Sequence, residues 1–376
     1  MARDNASGRA ILTLVDDNAM QLGSMADKTK NILDAFAFSF SPSSIAQTPA
    51  SPRDAAKLLV YRKSDKKVSC DTFKNLAKYL PARAVLVFNE TKVIPARLFV
   101  RKETGGWVEV LYIATKKGLL QVLADRKLVL RSKARLTEDI SFTITKSDGR
   151  FYYLKPSFPI SKLQMVLERY GAAPVPPYIK HSRKASMRLR EQYQAIFAKK
   201  YGSIAAPTAS LHFTKRLIVD LKRQSFGIEF VTLHVGLGTF APVTDEQLKQ
   251  GKLHSEWYSI DADTARRLNA AKRAGRPIIA VGTTVVRTLE SAALSRSARR
   301  RRHSLRATSS STELFIRPGY RFKFVDGLIT NFHVPRSSLM MLVAAFISRK
   351  ELLALYRKAM KRKFRFFSFG DGMLLY

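Results

Sequence analysis

Six histidines offer the most direct route to chemistry: His181, His212, His234, His254, His303 and His333. A neutral imidazole is the usual proton acceptor near neutral pH. His212 and His234 stand beside stretches of small and polar residues and are candidate bases or hydrogen-bond donors, with a plain structural role as the alternative for each. His254-Ser255-Glu256 sets a carboxylate two positions after an imidazole. In an extended strand those two side chains share a face, where the acid can orient the ring and raise its basicity; a plain surface pair is the alternative. No His-Glu-x-x-His or Cys/His zinc spacing is present, and no metal is expected. The Gly-x-Ser-x-Gly elbow and the Gly-x4-Gly-Lys-Ser/Thr phosphate loop are absent too. Gly236-Leu237-Gly238 lacks the third glycine of a dinucleotide fingerprint.

The sharpest local pattern is IIAVGTTVVRTLES, Ile278–Ser291. An apolar run ends at Gly282, and Thr283 and Thr284 then open a helix. Free amides and hydroxyls at a helix start favour a carboxylate or phosphate, and ligands of open α/β sheets gather at such strand ends. An ordinary capped β–α junction is the plain alternative. Two further stretches, GSIAAPTASLHFT (Gly202–Thr214, with Thr208) and VTLHVGLGTFAPV (from Val231), join small residues to polar ones. Gly236 and Gly238 allow a ligand close to the backbone. Asp371 sits between two glycines after Phe364–Phe369 (FRFFSF). An acid there suits ribose hydroxyls, a cation or a turn, and the aromatic–cation run suits either unpaired bases or a core strand.

The elements that must position these residues follow from pattern. The chain has 376 residues, 46% of them hydrophobic, enough for about two domains with ample cores. Lys57–Tyr61, Val85–Asn89, Ile228–Val235, Ile278–Val281 and Leu328–Phe332 predict strands. Ser161–Tyr170, Arg188–Lys200, Thr264–Ala274 and Leu339–Met360 predict helical runs. Such alternation implies an α/β domain. Between Arg97 and Ile144 the pattern changes to closely spaced short strands: Leu98–Val100, Trp107–Ile113, Leu119–Leu123, Lys127–Leu130 and Ile140–Thr145. That change predicts an inserted small β-barrel. The expected organisation is an extension over 1–34, a discontinuous α/β domain over 35–96 and 161–376, and a barrel over 97–160.

Charge and cysteine content bound the partners. Lys and Arg number 66 against 29 Asp and Glu, a formal +37. That excess fits a polyanion, with nucleic acid as the first expectation and an anionic membrane surface as the competitor. Ser295–Ser311 (SRSARRRRHSLRATSSS) predicts a solvated loop suited to phosphate contact. Cys70 is the single cysteine, which excludes an internal disulfide and fits a reducing cytoplasm. The apolar run Met340–Ile347 falls far short of the ~18–20 residues that span a bilayer.

These motifs, taken together, resemble the S-adenosylmethionine:tRNA ribosyltransferase-isomerase family. The stretches that carry the resemblance are IAQTPASPRDAAKLLV (Ile45–Val60), LVFNETKVIPARL (Leu86–Leu98), APVPPYI (Ala173–Ile179), GSIAAPTASLHFT, VTLHVGLGTFAPV, LHSEWYSI (Leu253–Ile260), IIAVGTTVVRTLES, Phe315–Phe346 and Phe364–Tyr376. They keep the family's order from Ile45 to the C-terminus. Four positions depart from it: Glu90-Thr91-Lys92 stands for Asp-Thr-Arg, Ser210 for Gly, and Gly372 for Ala.

The resemblance implies transfer and isomerisation of the ribosyl part of S-adenosylmethionine, which is consumed as co-substrate. The acceptor is 7-aminomethyl-7-deazaguanine at the wobble position of a tRNA with a GUN-type anticodon; adenine and methionine leave and epoxyqueuosine forms. A cytoplasmic monomer is implied, with an α/β domain interrupted by a small barrel. The candidate catalytic residues are His212, His234, His254, Glu256 and His333. The candidate substrate-binding residues are Asn89, Glu90, Arg97, Thr208, Gly236, Gly238, Gly282, Thr283, Thr284, Arg287 and Asp371. Thr283, Thr284 and Arg287 suit the methionine carboxylate, Glu90 or Asp371 a ribose diol, and Trp257 or Tyr258 a sulfonium. A tRNA methyltransferase using the same donor, and an RNA-binding protein without turnover, are the rival readings.

Overall fold

The computed structural model describes residues 32–180, 186–236, 238, 243–294 and 304–376. His181, His303, Arg299–Arg302 and nearly all of the 1–34 extension lie outside the described residues. The described residues form two compact units, 93–193 and 32–92 with 194–376.

The larger unit is built on one mixed sheet. Its strands are β1 (Lys57–Arg62), β2 (Lys67–Thr72) and β3 (Val85–Asn89) from the first part of the chain. A short ribbon, β4 (Thr91–Val93), follows. The smaller unit then contributes β5 (Arg97–Lys102), β6 (Trp107–Lys116), β7 (Leu119–Ala124), β8 (Lys133–Arg135), β9 (Ser141–Ser147) and β10 (Tyr152–Pro156). After β11 (Lys200–Ser203), the ribbon partner of β4, the sheet resumes with β12 (Gly227–Leu233), β13 (Lys252–Ile260) and β14 (Ile278–Val281). It is completed by β15 (Thr308–Leu314), β16 (Gly327–Asn331) and β17 (Gly372–Leu375). Among the described residues the sheet has nine strands, ordered β15-β13-β12-β3-β14-β16-β17-β1-β2.

Strands β12, β3, β14 and β16 run parallel to one another. Parallel strands are covered on both faces, so they read as unbroken apolar runs, and VLVFN, IIAV and GLITN are buried at every position. Leu86, Phe88, Ile279, Val281 and Ile329 join Leu217 and Leu221 of the helix Lys215–Arg223 in one core cluster. Thr214 caps that helix through the Leu217 amide. The helix Thr283–Ala293 is buried along most of its length, as its place between β14, β12 and β15 requires. One residue of this helix escapes a sequence reading: Glu290 is fully buried. It accepts from the Tyr320 hydroxyl and from the amides of Lys323, Phe324 and Val325 at 2.8–3.0 Å, and so anchors the approach to β16.

The smaller unit is a closed barrel in the order β10-β7-β6-β5-β8-β9. Alternation supplies its interior: Leu98, Val100, Val108, Val110, Leu120, Val122, Phe142, Ile144 and Leu154 are each no more than 2% exposed. The α/β-plus-barrel architecture expected from the sequence is thus present, although details differ. Lys127–Leu130 is a loop rather than a strand, because Leu128 is buried while Val129 and Leu130 are 61% and 51% exposed. β8, three residues long, and β10 are not among the strands expected from the sequence. The compact unit also takes in residues 161–193, which the sequence pattern joined to the α/β domain. Arg97 and Ala172 exchange both backbone hydrogen bonds, and a Cβ at Gly171 would sit 1.9 Å from the Pro95 carbonyl. Only glycine permits that approach.

Two other expectations are corrected. Arg188–Lys200 is no continuous helix: a short helix, Ser186–Gln192, gives way to turns, after which the Lys199 and Lys200 amides donate to the Glu90 carbonyl. Thr308–Ser311, within the expected solvated loop, pairs with β13 as part of edge strand β15. Of the two readings open for FRFFSF, the structure fits the core one: Phe364, Phe366, Phe367 and Phe369 are buried, with Phe364 and Phe366 packed on Phe332 and Phe366 also on Tyr356.

Glu290→Leu should lower the unfolding free energy by at least ~3 kcal/mol, because four donors lose their acceptor together. Denaturant unfolding measures this, and a variant within ~0.5 kcal/mol of the parent would contradict the anchoring role.

Candidate functional site

Because β12, β3, β14 and β16 are parallel, their C-terminal ends line one edge of the sheet. Each end delivers candidate residues there: His234 after β12, Asn89 and Glu90 at β3, Gly282, Thr283 and Thr284 after β14, and His333 just beyond β16. Asn89 knits three of these ends together. It is fully buried. Its oxygen accepts the Leu233 and Thr91 amides at 3.1 Å. Its amide nitrogen donates to the Leu233 carbonyl at 2.9 Å and to Thr284 Oγ1 at 3.3 Å.

Gly282 makes the turn into the helix with φ 98° and ψ 151°, a conformation open essentially to glycine alone. No side chain caps this helix start. The Val285 and Val286 amides fold back to the Gly282 carbonyl, so the Thr283 and Thr284 amides carry the open end of the helix. The 3-10 turn Thr208–His212 lies against it, with Ala209 Cβ 3.8 Å from where a Gly282 Cβ would be. Ser210 in that turn is wholly buried, and its hydroxyl has no partner among the described residues.

His234 stacks on Trp257, with ring centroids 4.8 Å apart at 22°, and its Nδ1 lies 2.8 Å from the Thr91 hydroxyl. Gly202, at φ 148°, closes on the other nitrogen: a Cβ there would stand 2.8 Å from Nε2. Half-burial, and then the Lys200 ammonium, push the His234 imidazole below its ordinary value. Glu90 sits nearby, with Thr232 Oγ1 at 3.4 Å and Lys200 Nζ at 3.9 Å. The two small-residue loops are tied to each other here. Ile204 N donates to the Val235 carbonyl, and Val235 N donates to Ser203 Oγ.

Glu256 and Arg287 form a buried ion pair. The other Glu256 oxygen accepts the Gly236 amide at 2.9 Å. Arg287 also donates to the carbonyls of Leu314 at 3.1 Å and Thr312 at 3.3 Å. The pair therefore fixes the loop after β12 against β13 and β15. His254 and Glu256 do lie on one strand, yet they serve different glycines: His254 Cδ2 is 3.6 Å from a Cβ position at Gly238. The His254 Nε2 is buried without a hydrogen-bond partner among the described residues.

The remaining histidines are deeper. His212 stacks on Phe73 at 4.2 Å, and its Nε2 is 3.2 Å from Asn331 Oδ1. The Asn331 amide nitrogen is spent on the Phe367 and Ser368 carbonyls, so its oxygen faces the ring and Nε2 carries the proton. His333 Nε2 pairs with the Thr330 hydroxyl at 2.8 Å. Asp371 directly precedes β17, whose Gly372 pairs with Asn331 at the end of β16, so it adjoins this same edge of the sheet. Both Asp371 oxygens accept backbone amides, of Lys57 at 3.0 Å and Arg365 at 2.8 Å. Arg97 belongs to the barrel unit, where it pairs with Glu109 and donates to the Val175 carbonyl at 2.7 Å. Burial pushes its guanidinium down to about 10. Thr91, Gly202, Asn331 and Glu290 are contributors that spacing alone did not single out, because each acts through a partner remote in sequence. No cluster of His, Cys, Asp or Glu able to hold a metal occurs among the described residues.

The buried histidines carry a pH signature. Burial pushes His212 down to about 3 and His333 to about 4, against an ordinary 6.5. Between pH 6.5 and 4 the unfolded chain therefore binds more protons than the folded one. Stability falls as pH falls through that window, by up to ~1.4 kcal/mol per pH unit for each histidine. His333→Gln should flatten the slope of unfolding free energy between pH 6.5 and 4.5; an unchanged slope would contradict the assignment.

Comparison with known proteins places this geometry. Residues 33–375 match the model of a family described as queuosine biosynthesis protein. A curated S-adenosylmethionine:tRNA ribosyltransferase-isomerase from Carboxydothermus hydrogenoformans is 43% identical over 88% of this chain and 96% of its own. The protein of that name from Moorella thermoacetica is 41% identical over 91% and 99%. The crystal structure of S-adenosylmethionine tRNA ribosyltransferase from Thermotoga maritima aligns with TM-score 0.52 and 33% identity, over 91% of this chain and 100% of that one. On this evidence the chain belongs to the queuosine biosynthesis protein family.

Proposed function

We propose that the protein transfers and isomerises the ribosyl moiety of S-adenosylmethionine onto 7-aminomethyl-7-deazaguanine at the tRNA wobble position, releasing adenine and methionine and leaving epoxyqueuosine. It is a transferase-isomerase enzyme of queuosine biosynthesis. S-adenosylmethionine is spent as a ribosyl source and not as a methyl donor. Its tRNA carries a GUN-type anticodon, and the protein acts in the cytoplasm as a monomer. Donor binding and catalysis belong to the sheet unit.

The observation that carries this reading is the meeting, through Asn89, of a half-buried imidazole with an open helix N-terminus at one edge of parallel strands. The Thr283 and Thr284 amides receive the methionine carboxylate. Arg287, committed to Glu256 and two carbonyls, holds the Gly236 loop instead of meeting that carboxylate. Glu90 accepts the ribose hydroxyls. The sulfonium acidifies the adjacent C5′ hydrogens, so a neutral imidazole placed beside them takes one as a proton. His234 suits that role: it stays uncharged at neutral pH, and Thr91, Trp257 and Gly202 fix its plane. His212 and His333, at about 3 and 4 and bonded within the core, are too weakly basic for the task. The target base lies in an unpaired anticodon loop, where splaying it out meets less resistance than in a duplex. The basic surface holds the stem phosphates.

The test mixes protein, S-adenosylmethionine and tRNA bearing the 7-deaza base, then identifies small products by mass. Free adenine and methionine are expected; S-adenosylhomocysteine would instead establish a methyltransferase, and RNA binding without turnover a non-catalytic protein. His234→Gln should lower kcat by about 10²–10⁴ while donor affinity persists. A kcat within twofold of the parent would remove His234 as the base. The tRNA affinity should fall with salt by a log–log slope of ~0.7–0.9 per neutralised phosphate, and a flat dependence would overturn the electrostatic account.

A further inference from the structure

A row of side chains crosses three strands at the His234 ring. The register Thr232–Ser259 and Leu233–Tyr258 of β12 on β13 continues past the end of β12, which sets His234 opposite Trp257. The His234 amide donates to the Trp257 carbonyl at 2.9 Å. Trp257 in turn lies opposite Ser311 of the edge strand β15. Its indole reaches the diagonal neighbour on the same face, where Nε1 donates to Ser309 Oγ at 3.1 Å. The indole is 38% exposed, so this tether is what keeps it from turning out into solvent. Held there, it stays stacked on the imidazole, with centroids 4.8 Å apart.

Thr91 decides which ring nitrogen is free. Its hydroxyl donates to the Lys200 carbonyl at 3.4 Å, which leaves the oxygen to accept the Nδ1 proton at 2.8 Å. Nε2 then carries the lone pair, on the side that Gly202 keeps clear of a side chain. A proton arriving at Nε2 makes an imidazolium flat against the indole, and an aromatic face attracts a cation within about 6 Å of its centroid. The surrounding charges do not supply that support. Lys200 on β11 opposes the imidazolium. Glu90, just after β3, has the Lys200 ammonium 3.9 Å away. Glu256, the residue before Trp257 on β13, is paired with Arg287. Edge strand β15 brings Ser309 and Ser311, which are uncharged. We propose that Trp257, tethered by Ser309, is a positioning residue that holds the His234 ring and stabilises its protonated form. That role rests on His234 being the base of the proposed ribosyl transfer, where the ring must take a C5′ proton despite its burial.

The test is an NMR titration of the His234 ring in the full chain, its signal assigned with His234→Gln. Trp257→Leu keeps an apolar cover on the imidazole and removes the aromatic face. The His234 pKa should then fall by about 0.4–0.7 pH units. An indole that only excluded water would give the opposite sign, because a thinner cover lets the pKa rise towards its ordinary 6.5. Trp257→Phe keeps a ring and should restore most of the loss. Ser309→Ala, on an exposed edge, should give a smaller fall in the same direction. The acid limb of kcat/KM for adenine release should move down in pH with the titration in each variant. An unchanged or raised His234 pKa in Trp257→Leu, or a fall in Trp257→Phe as large as in Trp257→Leu, would overturn the proposal. Weakened donor affinity in Trp257→Leu with an unmoved titration would also overturn it, and would put the indole on the sulfonium instead. Should Trp257→Leu fail to fold, Ser309→Ala decides, and an unmoved His234 pKa there overturns the proposal. A titration that moves as expected without any adenine release sinks the ribosyl-transfer reading and leaves the ring pairing standing. Adenine release with an unmoved titration sinks the pairing alone.

Discussion

One buried carboxamide sets the geometry on which the rest depends. Asn89 ends a fully apolar strand in the middle of the sheet, where its polar atoms must be paired or pay a desolvation cost. It is paired by the backbone of β12, by Thr91 and by the first turn of the Thr283 helix. Those are the neighbours that carry His234 and the open helix amides. Satisfying one hydrogen-bond inventory thus brings an imidazole and an anion-binding end to the same edge. No second element needs to be steered there.

Around this knot, ionic groups serve position. Glu256 and Arg287 could each be imagined meeting substrate. Their mutual pairing, the Gly236 amide and two β15 carbonyls occupy them instead. A buried pair of this kind adds little net stability against an apolar replacement, yet breaking it is costly, so its value lies in fixing one arrangement. Asp371 works likewise, binding the start of β1 and the Arg365 amide. Glu290 does the same for the segment before β16. The positive excess of the chain is left largely to exposed surfaces, where it can act on a polyanion.

Much of the architecture was legible because it rests on local periodicity. Val85–Asn89 and Ile278–Val281 were readable to the residue, since double burial demands unbroken apolar runs. The barrel announced itself by short alternating segments. Lys133–Arg135 and Tyr152–Pro156 did not, because their pairing depends on neighbours and not on their own composition. The site was legible in types and not in roles. Thr283, Gly282 and His234 stand where strand-end logic puts them. What separates a base from a core histidine is burial and partners: Phe73 and Asn331 for His212, Thr91 and Trp257 for His234. Those partners are distant in sequence, and single-chain spacing holds no trace of them.

The most direct measurement is a structure of the protein crystallised with S-adenosylmethionine. The account predicts the donor at the ends of β12, β3 and β14, its carboxylate on the Thr283 and Thr284 amides and its C5′ carbon within reach of the His234 ring. A donor lodged away from these strand ends, with those amides facing only solvent, would contradict it.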